Sequence, residues 1–237
     1  MTGRAKSPNF PGFLCSVGFN ATTANGEKSF VTASHCTNKQ GGVESTPYWQ
    51  PLQSVDPVQI ATEVADPAYT KGPGRPGGKV CRYSDASRAK YASGANQALG
   101  LIAATSAANN KSLDITGSFA ITSNDCEGAG QTQQTGGCLT PGEKVDKVGR
   151  TTGWTEGNIT NTCVNTGVQG SRIVQLCQTF VSAGVGGGDS GSDVFQVTSG
   201  SNVKLVGILW GGNSNGTQFV FSPLGNVFRE LGTLTTH

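Results

Sequence analysis

The sequence predicts an all-β protein. Three observations carry the prediction: 35 of the 237 residues are glycine, apolar runs of four to eight residues recur between Gly, Pro, Asn and Ser clusters, and no long charged stretch has helical spacing. Strand-length runs lie at Phe13 to Phe19, Val145 to Val148, Ile173 to Cys177, Leu205 to Trp210 and Gln218 to Phe221. One stretch has helical periodicity instead: apolar residues at 224, 227, 228 and 231 predict a short helix over Leu224 to Leu231. Gly72 to Gly78, with Pro73 and Pro76, and the Gly/Gln/Thr-rich Gly128 to Gly137 read as loops. Ala103 to Asp114, rich in Ala, Ser and Asn, separates two strand-bearing halves, which puts a boundary between 1–105 and 106–237.

Charge excludes several partners. With 17 basic and 15 acidic residues, a net charge of +2 and no charged tail, no long-range attraction to nucleic acid or a membrane surface is expected. No run of eighteen apolar residues occurs, and the first thirty residues lack a basic start followed by an apolar core. The chain is therefore expected to be a mature or trimmed form, with any export signal or pro-segment removed.

Seven cysteines beside a single methionine point to an oxidising compartment, hence a secreted protein. There is no Cys-x-x-Cys pair, and two histidines are too few for a structural zinc site, so neither a metal nor another cofactor is expected.

Two features carry chemistry. His35 and the terminal His237 are the only imidazoles, which makes His35, in Thr32-Ala33-Ser34-His35-Cys36, the natural general base. Gly186-Gly187-Gly188-Asp189-Ser190-Gly191 surrounds a serine with residues that let a carbonyl approach closely and aim successive backbone N–H groups at one point, as an oxyanion requires. Taken singly, the first is an ordinary buried or surface histidine and the second a flexible turn. Together they form a nucleophile-and-base set.

The histidine segment and Gly188-Asp189-Ser190-Gly191 resemble the two signature motifs of trypsin-like serine peptidases, in the family's order. Val148-Gly149-Arg150-Thr151-Thr152-Gly153-Trp154 is similar to a strand-and-turn segment of the bacterial secreted branch. The resemblance implies two packed six-stranded antiparallel β-barrels, the first carrying His35 and the acid, the second carrying Ser190 and the specificity pocket, with a short C-terminal helix. An α/β-hydrolase is excluded, since its histidine follows the serine and its Gly-x-Ser-x-Gly would need glycine at Ser192.

The acid should lie between 35 and 190, where Asp56, Asp66, Asp85, Asp114, Asp125, Asp146 and Asp189 are available. Asp56 and Asp66 precede prolines and read as turn residues; Asp125 reads as a loop residue. Asp85, in Val80-Cys81-Arg82-Tyr83-Ser84-Asp85-Ala86, resembles the family's aspartate at the end of a first-barrel strand, and its 50-residue offset from His35 is also family-like. The resemblance further implies an oxyanion hole from the N–H groups of Gly188 and Ser190, a buried Arg150–Asp189 ion pair bracing that loop, and a substrate-binding wall of Gly184, Leu209, Trp210, Gly211 and Phe219. Gly184 stands where trypsins carry an aspartate, so the primary preference is expected to be apolar. Disulfides are expected between Cys15 and Cys36, Cys126 and Cys138, and Cys163 and Cys177, the last two closing loops of about a dozen residues at roughly 3 kcal/mol each. Cys81 is left as a buried thiol.

The implied activity is hydrolysis of protein or peptide substrates by a monomer through an acyl-enzyme. A catalytically silent binding module and an ester-preferring acyl hydrolase with the same residues are the alternatives.

Overall fold

A computed structural model describes residues 2–4, 14–72, 76–127 and 137–237. Of the two expected loops, residues 73–75 and 128–136 lie outside the described residues, and the described part of the loop at 72–78, residues 72 and 76–78, is in neither helix nor strand. The first sheet contains β1 (Thr2–Arg4), β2 (Leu14–Cys15), β3 (Asn20–Thr22), β4 (Lys28–Thr32), β5 (Pro47–Trp49), β6 (Gln59–Ala65) and β8 (Ser87–Tyr91), in the order β2-β1-β5-β6-β8-β4-β3. Residues 16–19 join its two edge strands, and Gly18 and Val31 continue the pairing through 3.0 Å backbone bonds. Counted as one bent strand, 14–22 therefore closes six strands into a barrel. Closure leaves no free edge to pair with another chain.

The second sheet is built from β9 (Leu101–Thr105), β10 (Ile115–Asn124), β11 (Lys144–Gly149), β12 (Gly153–Gly167), β13 (Ile173–Ser182), β14 (Asp193–Ser199), β15 (Asn202–Gly212) and β16 (Phe219–Pro223), with β7 (Val80–Arg82) laid parallel on β13. Strands β14, β11, β12, β13, β16 and β15 pair in a ring, because β14 also pairs with β15. This is the second six-stranded barrel; β10, β9 and β7 are additions to it. Helix α1 (Leu224–Leu231) follows β16 directly and packs its apolar face, Leu224, Val227 and Phe228, against β15 and β16.

The expected boundary at 105/106 is displaced. Strand β9 pairs with β10, so the crossing between barrels falls between Tyr91 and Leu101. The Ala- and Ser-rich composition hides a strand whose Ile102 is 2% exposed and packs with Phe119 and Ile121. Likewise β7, assigned to the first half, hydrogen-bonds with the second sheet.

Of the five apolar clusters among the described residues, three fill the barrels and the seam. Phe30, Tyr48, Ala61 and Ala89 fill the first barrel, with Phe30 edge-on to Tyr48 at 5.4 Å. Val145, Ile159, Val181, Val194, Leu209 and Phe221 fill the second. A third, containing Phe19, Val31, Ala86, Phe195, Leu205 and Ile208, joins strands of both barrels and seals the seam. Near-complete burial of such side chains contributes roughly 1.5 to 3 kcal/mol each. The three expected disulfides form, and Cys81 is a buried free thiol.

Candidate active site

Strand β4 ends at Thr32 and the chain turns through a single 3-10 turn, Ser34–Cys36, that presents His35. Each residue of the turn is tied down. Ser34 N–H donates to the Asp85 carbonyl at 3.1 Å, His35 N–H to Asp85 Oδ1 at 3.0 Å, and Cys36 is bridged to Cys15. His35 Nδ1 lies 2.8 Å from Asp85 Oδ2. One carboxylate thus fixes both the backbone and the ring of the histidine.

Asp85 is 1% exposed and well supplied with partners. Gln40 Nε2 donates to Oδ2 at 3.3 Å, and Asp85 N–H donates to Ser222 Oγ, which donates onward to Gln178 Oε1. Trp210 Nε1–H donates to that same oxygen at 2.7 Å. Burial pushes the Asp85 carboxyl up, but His35 and Arg82 outweigh it and hold the group below the ordinary aspartate value. It stays ionised, ready to stabilise a positive imidazole.

The segment leading into Asp85 is clamped from the far end of the chain. Glu230, on α1, accepts from Tyr83 N–H at 2.6 Å, Ser84 Oγ–H at 2.7 Å and Arg82 Nε at 3.0 Å. Arg82, 2% exposed, also reaches Asp66 Oδ1 at 2.6 Å and the Ala86 carbonyl at 2.7 Å. Asp66 is therefore a buried ion-pair partner, not the turn residue that its following proline suggests. Glu230→Ala is expected to destabilise the fold by about 2 to 4 kcal/mol, leaving Arg82 undercompensated and two N–H groups without an acceptor; chemical denaturation measures it.

Ser190 sits in the turn before β14. Asp189 N–H bonds to the Gly186 carbonyl at 3.0 Å, Gly191 N–H to Leu209 at 2.7 Å and Ser192 N–H to Asp189 at 2.9 Å, while Ser16, from the first barrel, donates to the carbonyls of Gly188 and Ser190. The N–H groups of Gly188 and Ser190 carry no backbone partner among the described residues. The turn needs its glycines: Gly188 has φ +103°, and at Gly191, φ +88°, a Cβ would collide with Thr32 Oγ1 and the Ser16 carbonyl. His35, Gly188 and Ser190 wall a common cleft of about 420 Å³, beside Leu14, Cys15 and Arg150.

No family model matches the chain and no curated protein matches it by sequence. Solved structures do match. Thermobifida fusca protease A aligns with a TM-score of 0.63 at 20% identity, over 94% of this chain and 92% of its own. Nocardiopsis protease aligns at 0.60 and 21% identity, over 91% and 88%. A glutamic-acid-specific serine protease, described as using a histidine triad in substrate binding, aligns at 0.63 and 20%, over 94% and 93%. The chain has the chymotrypsin-like fold. At 20 to 21% identity the likeness shows the fold alone.

Within the chymotrypsin-like fold two expected placements are corrected. Asp189 is buried, but its cation is Lys147, whose Nζ lies 3.0 Å from Oδ2 with both side chains inaccessible to solvent. Strand β11 turns Lys147 inward, whereas Arg150 lies beyond the strand's end, with its guanidinium beside Gly188 and Thr151. Asp189 also accepts from the N–H groups of Thr151, Thr152 and Gly186 and from Thr152 Oγ1. Burial raises its carboxyl, and Lys147 with these donors overrides burial and holds it below the ordinary range.

The second correction concerns the pocket beside Ser190. Its volume is about 230 Å³, and Val185, Gly187, Leu209, Gly211, Gly212 and Gly216 are among its lining residues. Gly184 is not, since its carbonyl is turned to accept from Thr155 Oγ1 at 2.8 Å. Val185, one residue on, faces the pocket; a Cβ at Gly212 would meet its Cγ1 at 2.6 Å. Trp210, with His35, Val168 and Phe180, lines an adjoining cleft of about 450 Å³ that shares Gly211, Gly212 and Asn213 with this pocket and includes Phe219, a residue wholly buried in the second barrel's core. Gln40, Ser222, Gln178, Arg82, Glu230 and Lys147 escaped the sequence reading. Lys147 carried no distinguishing local signal, since it shares β11 with Lys144 and Asp146.

Proposed function

We propose that this protein is a secreted serine endopeptidase, with Ser190 as nucleophile, His35 as general base and Asp85 as the group that orients and charges against His35. The observation that carries the proposal is the Asp85 carboxylate bonded to both N–H and Nδ1 of His35, on a cleft that His35 shares with Ser190 and with Gly188, whose N–H groups have no backbone partner among the described residues. Nδ1–H pointing at Asp85 leaves Nε2 as the basic nitrogen, and it takes the Ser190 proton as Oγ attacks the scissile carbonyl. The N–H groups of Gly188 and Ser190 then receive the oxyanion, held in place by the Lys147–Asp189 anchor beneath the turn. The imidazolium, stabilised by Asp85, returns the proton to the leaving amine. Water repeats the sequence to release the acyl group. All these groups come from one chain, so a monomer suffices, and three disulfides fit an extracellular setting.

The pocket beside Ser190 is lined by glycines, Val185 and Leu209 together with the uncharged polar Asn213 and Ser214, and the lack of a charged side chain favours apolar over charged residues at the acyl position. Recognition of glutamate by a histidine triad, described for the structural neighbour, is unsupported here because His237 is the only imidazole besides His35. On matched peptides, kcat/KM for Leu or Phe is expected to exceed that for Lys or Glu by roughly tenfold to a hundredfold. Equal values would remove the subsite reading. Ester and peptide substrates with the same acyl group separate peptidase from esterase.

Arg150, not engaged by Asp189, lines the cleft that holds His35 and Ser190 together with Leu14 and Cys15, and we assign this cleft, distinct from the pocket of Val185 and Leu209, to the leaving group. Acidic residues just after the scissile bond are favoured. Arg150→Glu is expected to change the ratio of kcat/KM for Asp over Lys there by roughly three- to tenfold in favour of Lys, at low salt; a constant ratio would assign Arg150 no such role.

A further inference from the structure

Gln40 stands in the wall of the cleft of about 450 Å³, beside His35, Asp85 and Trp210, and is half-buried there. Both hydrogens of its amide are used: Nε2 donates to the Tyr69 hydroxyl at 2.8 Å and to Asp85 Oδ2 at 3.3 Å. The same Oδ2 faces His35 Nδ1 at 2.8 Å. Turning the amide over would set Oε1 against that carboxylate oxygen, acceptor against acceptor, so the chemistry fixes which end points inward. The amide is also held from behind. Tyr69 Oη accepts from Gln175 Nε2 at 2.8 Å as well, so side-chain amides fill both lone pairs of the hydroxyl. Gly41, next in the chain, has φ +77°, and a Cβ there would collide with the Tyr69 ring; its N–H donates to Asp66 Oδ2 at 2.9 Å. Tyr69 itself is not among the residues that line the cleft.

We propose that Gln40 is a positioning residue, which holds Asp85 Oδ2 on His35 and sets the proton affinity of the imidazole, while Tyr69 fixes the Gln40 amide. This role presupposes His35 as general base oriented by Asp85, as proposed above. A hydrogen bond to an ionised carboxylate stabilises the charge, so part of the Asp85 charge is answered by the Gln40 amide. Without that donor, more of the charge falls on His35. The protonated ring is then favoured, and the base becomes available only at higher pH. The other groups around the pair act on every variant alike. Arg82, from β7, helps to keep Asp85 ionised, and Asp66 and Glu230 are both paired with Arg82. Lys39, beside Gln40 in the chain, pairs with Glu44 at 3.7 Å on the exposed side. Burial and the Asp85 charge push the Tyr69 hydroxyl up, so it stays neutral.

Nuclear magnetic resonance of the full chain carrying isotope-labelled histidine reads the His35 titration directly, and in a His237→Gln background His35 is the sole imidazole. Gln40→Met keeps the length of the side chain and cannot donate. It is expected to raise the His35 proton affinity roughly threefold, a midpoint about half a pH unit higher, and Tyr69→Phe to move the midpoint the same way by less. The acid limb of kcat/KM should follow by the same amount, with kcat lowered roughly three- to tenfold and KM held within about twofold. Adding Tyr69→Phe to Gln40→Met should shift the midpoint no further. An unchanged midpoint in Gln40→Met, with or without a rise in KM, would make Gln40 a wall of the cleft and nothing more, and would overturn the proposal. Additive shifts in the double variant would overturn the part given to Tyr69. The titration needs no turnover, so a shifted midpoint in a parent protein that hydrolyses no peptide would leave Gln40 in its role and refute the peptidase reading alone.

Discussion

Ser190→Ala is expected to lower kcat/KM for peptide hydrolysis by roughly four to six powers of ten, with the melting temperature unchanged within about 2 °C. The size follows from the role. Removing Oγ removes the bond-forming atom, and what remains is the pair of N–H groups at Gly188 and Ser190 with the substrate clefts, a set able to supply only a residual acceleration. Stability is spared because the turn is held by the backbone of residues 186–192 and by the Asp189 carboxylate, and not by the serine hydroxyl. His35→Ala should lose a similar amount, and the double variant little more, because the two act as a unit. Kinetics on a single peptide, with circular dichroism melts, measures all three. Hydrolysis within tenfold of the parent in Ser190→Ala would remove the serine from the chemistry.

Lys147→Met is expected to destabilise the protein by about 3 to 5 kcal/mol, whereas Arg150→Met should change stability by less than about 0.5 kcal/mol. Lys147 and Asp189 are both sealed from solvent, so removing the ammonium leaves a buried carboxylate with four hydrogen bonds and no counter-charge. Arg150 has no such partner. The difference depends on pH in a defined direction. Because the Asp189 carboxyl titrates below its ordinary value, its stabilising contribution is complete above about pH 4 and is lost as pH falls through the lower folded value. The gap between the parent and Lys147→Met should therefore narrow in acid, once Asp189 is protonated in both. Denaturant titrations at pH 7 and at pH 3 check this; a large loss in Arg150→Met with a small one in Lys147→Met would restore the arginine to the pair.

That exchange of cations shows what the sequence could carry. His35, Asp85 and Ser190 stand in short contiguous motifs, each a local consequence of a turn that a few residues specify. The helix at Leu224–Leu231 and the strand cores at 145–148, 173–177 and 205–210 were legible for the same reason: their periodicity is local. Lys147 was not, because β11 is buried on both faces. Val145, Asp146 and Lys147 are all at most 1% exposed, so alternation could not say which way the lysine points. The exchange of Gly184 for Val185 in the pocket wall is a one-residue question of side-chain direction, which counting back from Ser190 does not answer. Strand β9 failed differently, its Ala-rich composition outweighing the single buried Ile102. The clamp on Asp85 and the segment leading into it by Glu230, Ser222 and Gln178 joins residues 95 to 148 apart in sequence. Contacts of that span follow from the closed barrels and leave no pattern in the chain itself.

Reaction of the native protein with a serine-directed phosphonate, followed by peptide mapping in a mass spectrometer, tests the central claim most directly. The account predicts one phosphonyl group per chain, on Ser190 alone, with labelling slowed by several powers of ten in His35→Ala and absent from the heat-unfolded protein. A folded protein that takes up no label, or takes it up on another serine, or labels Ser190 at the same rate without His35, would contradict it.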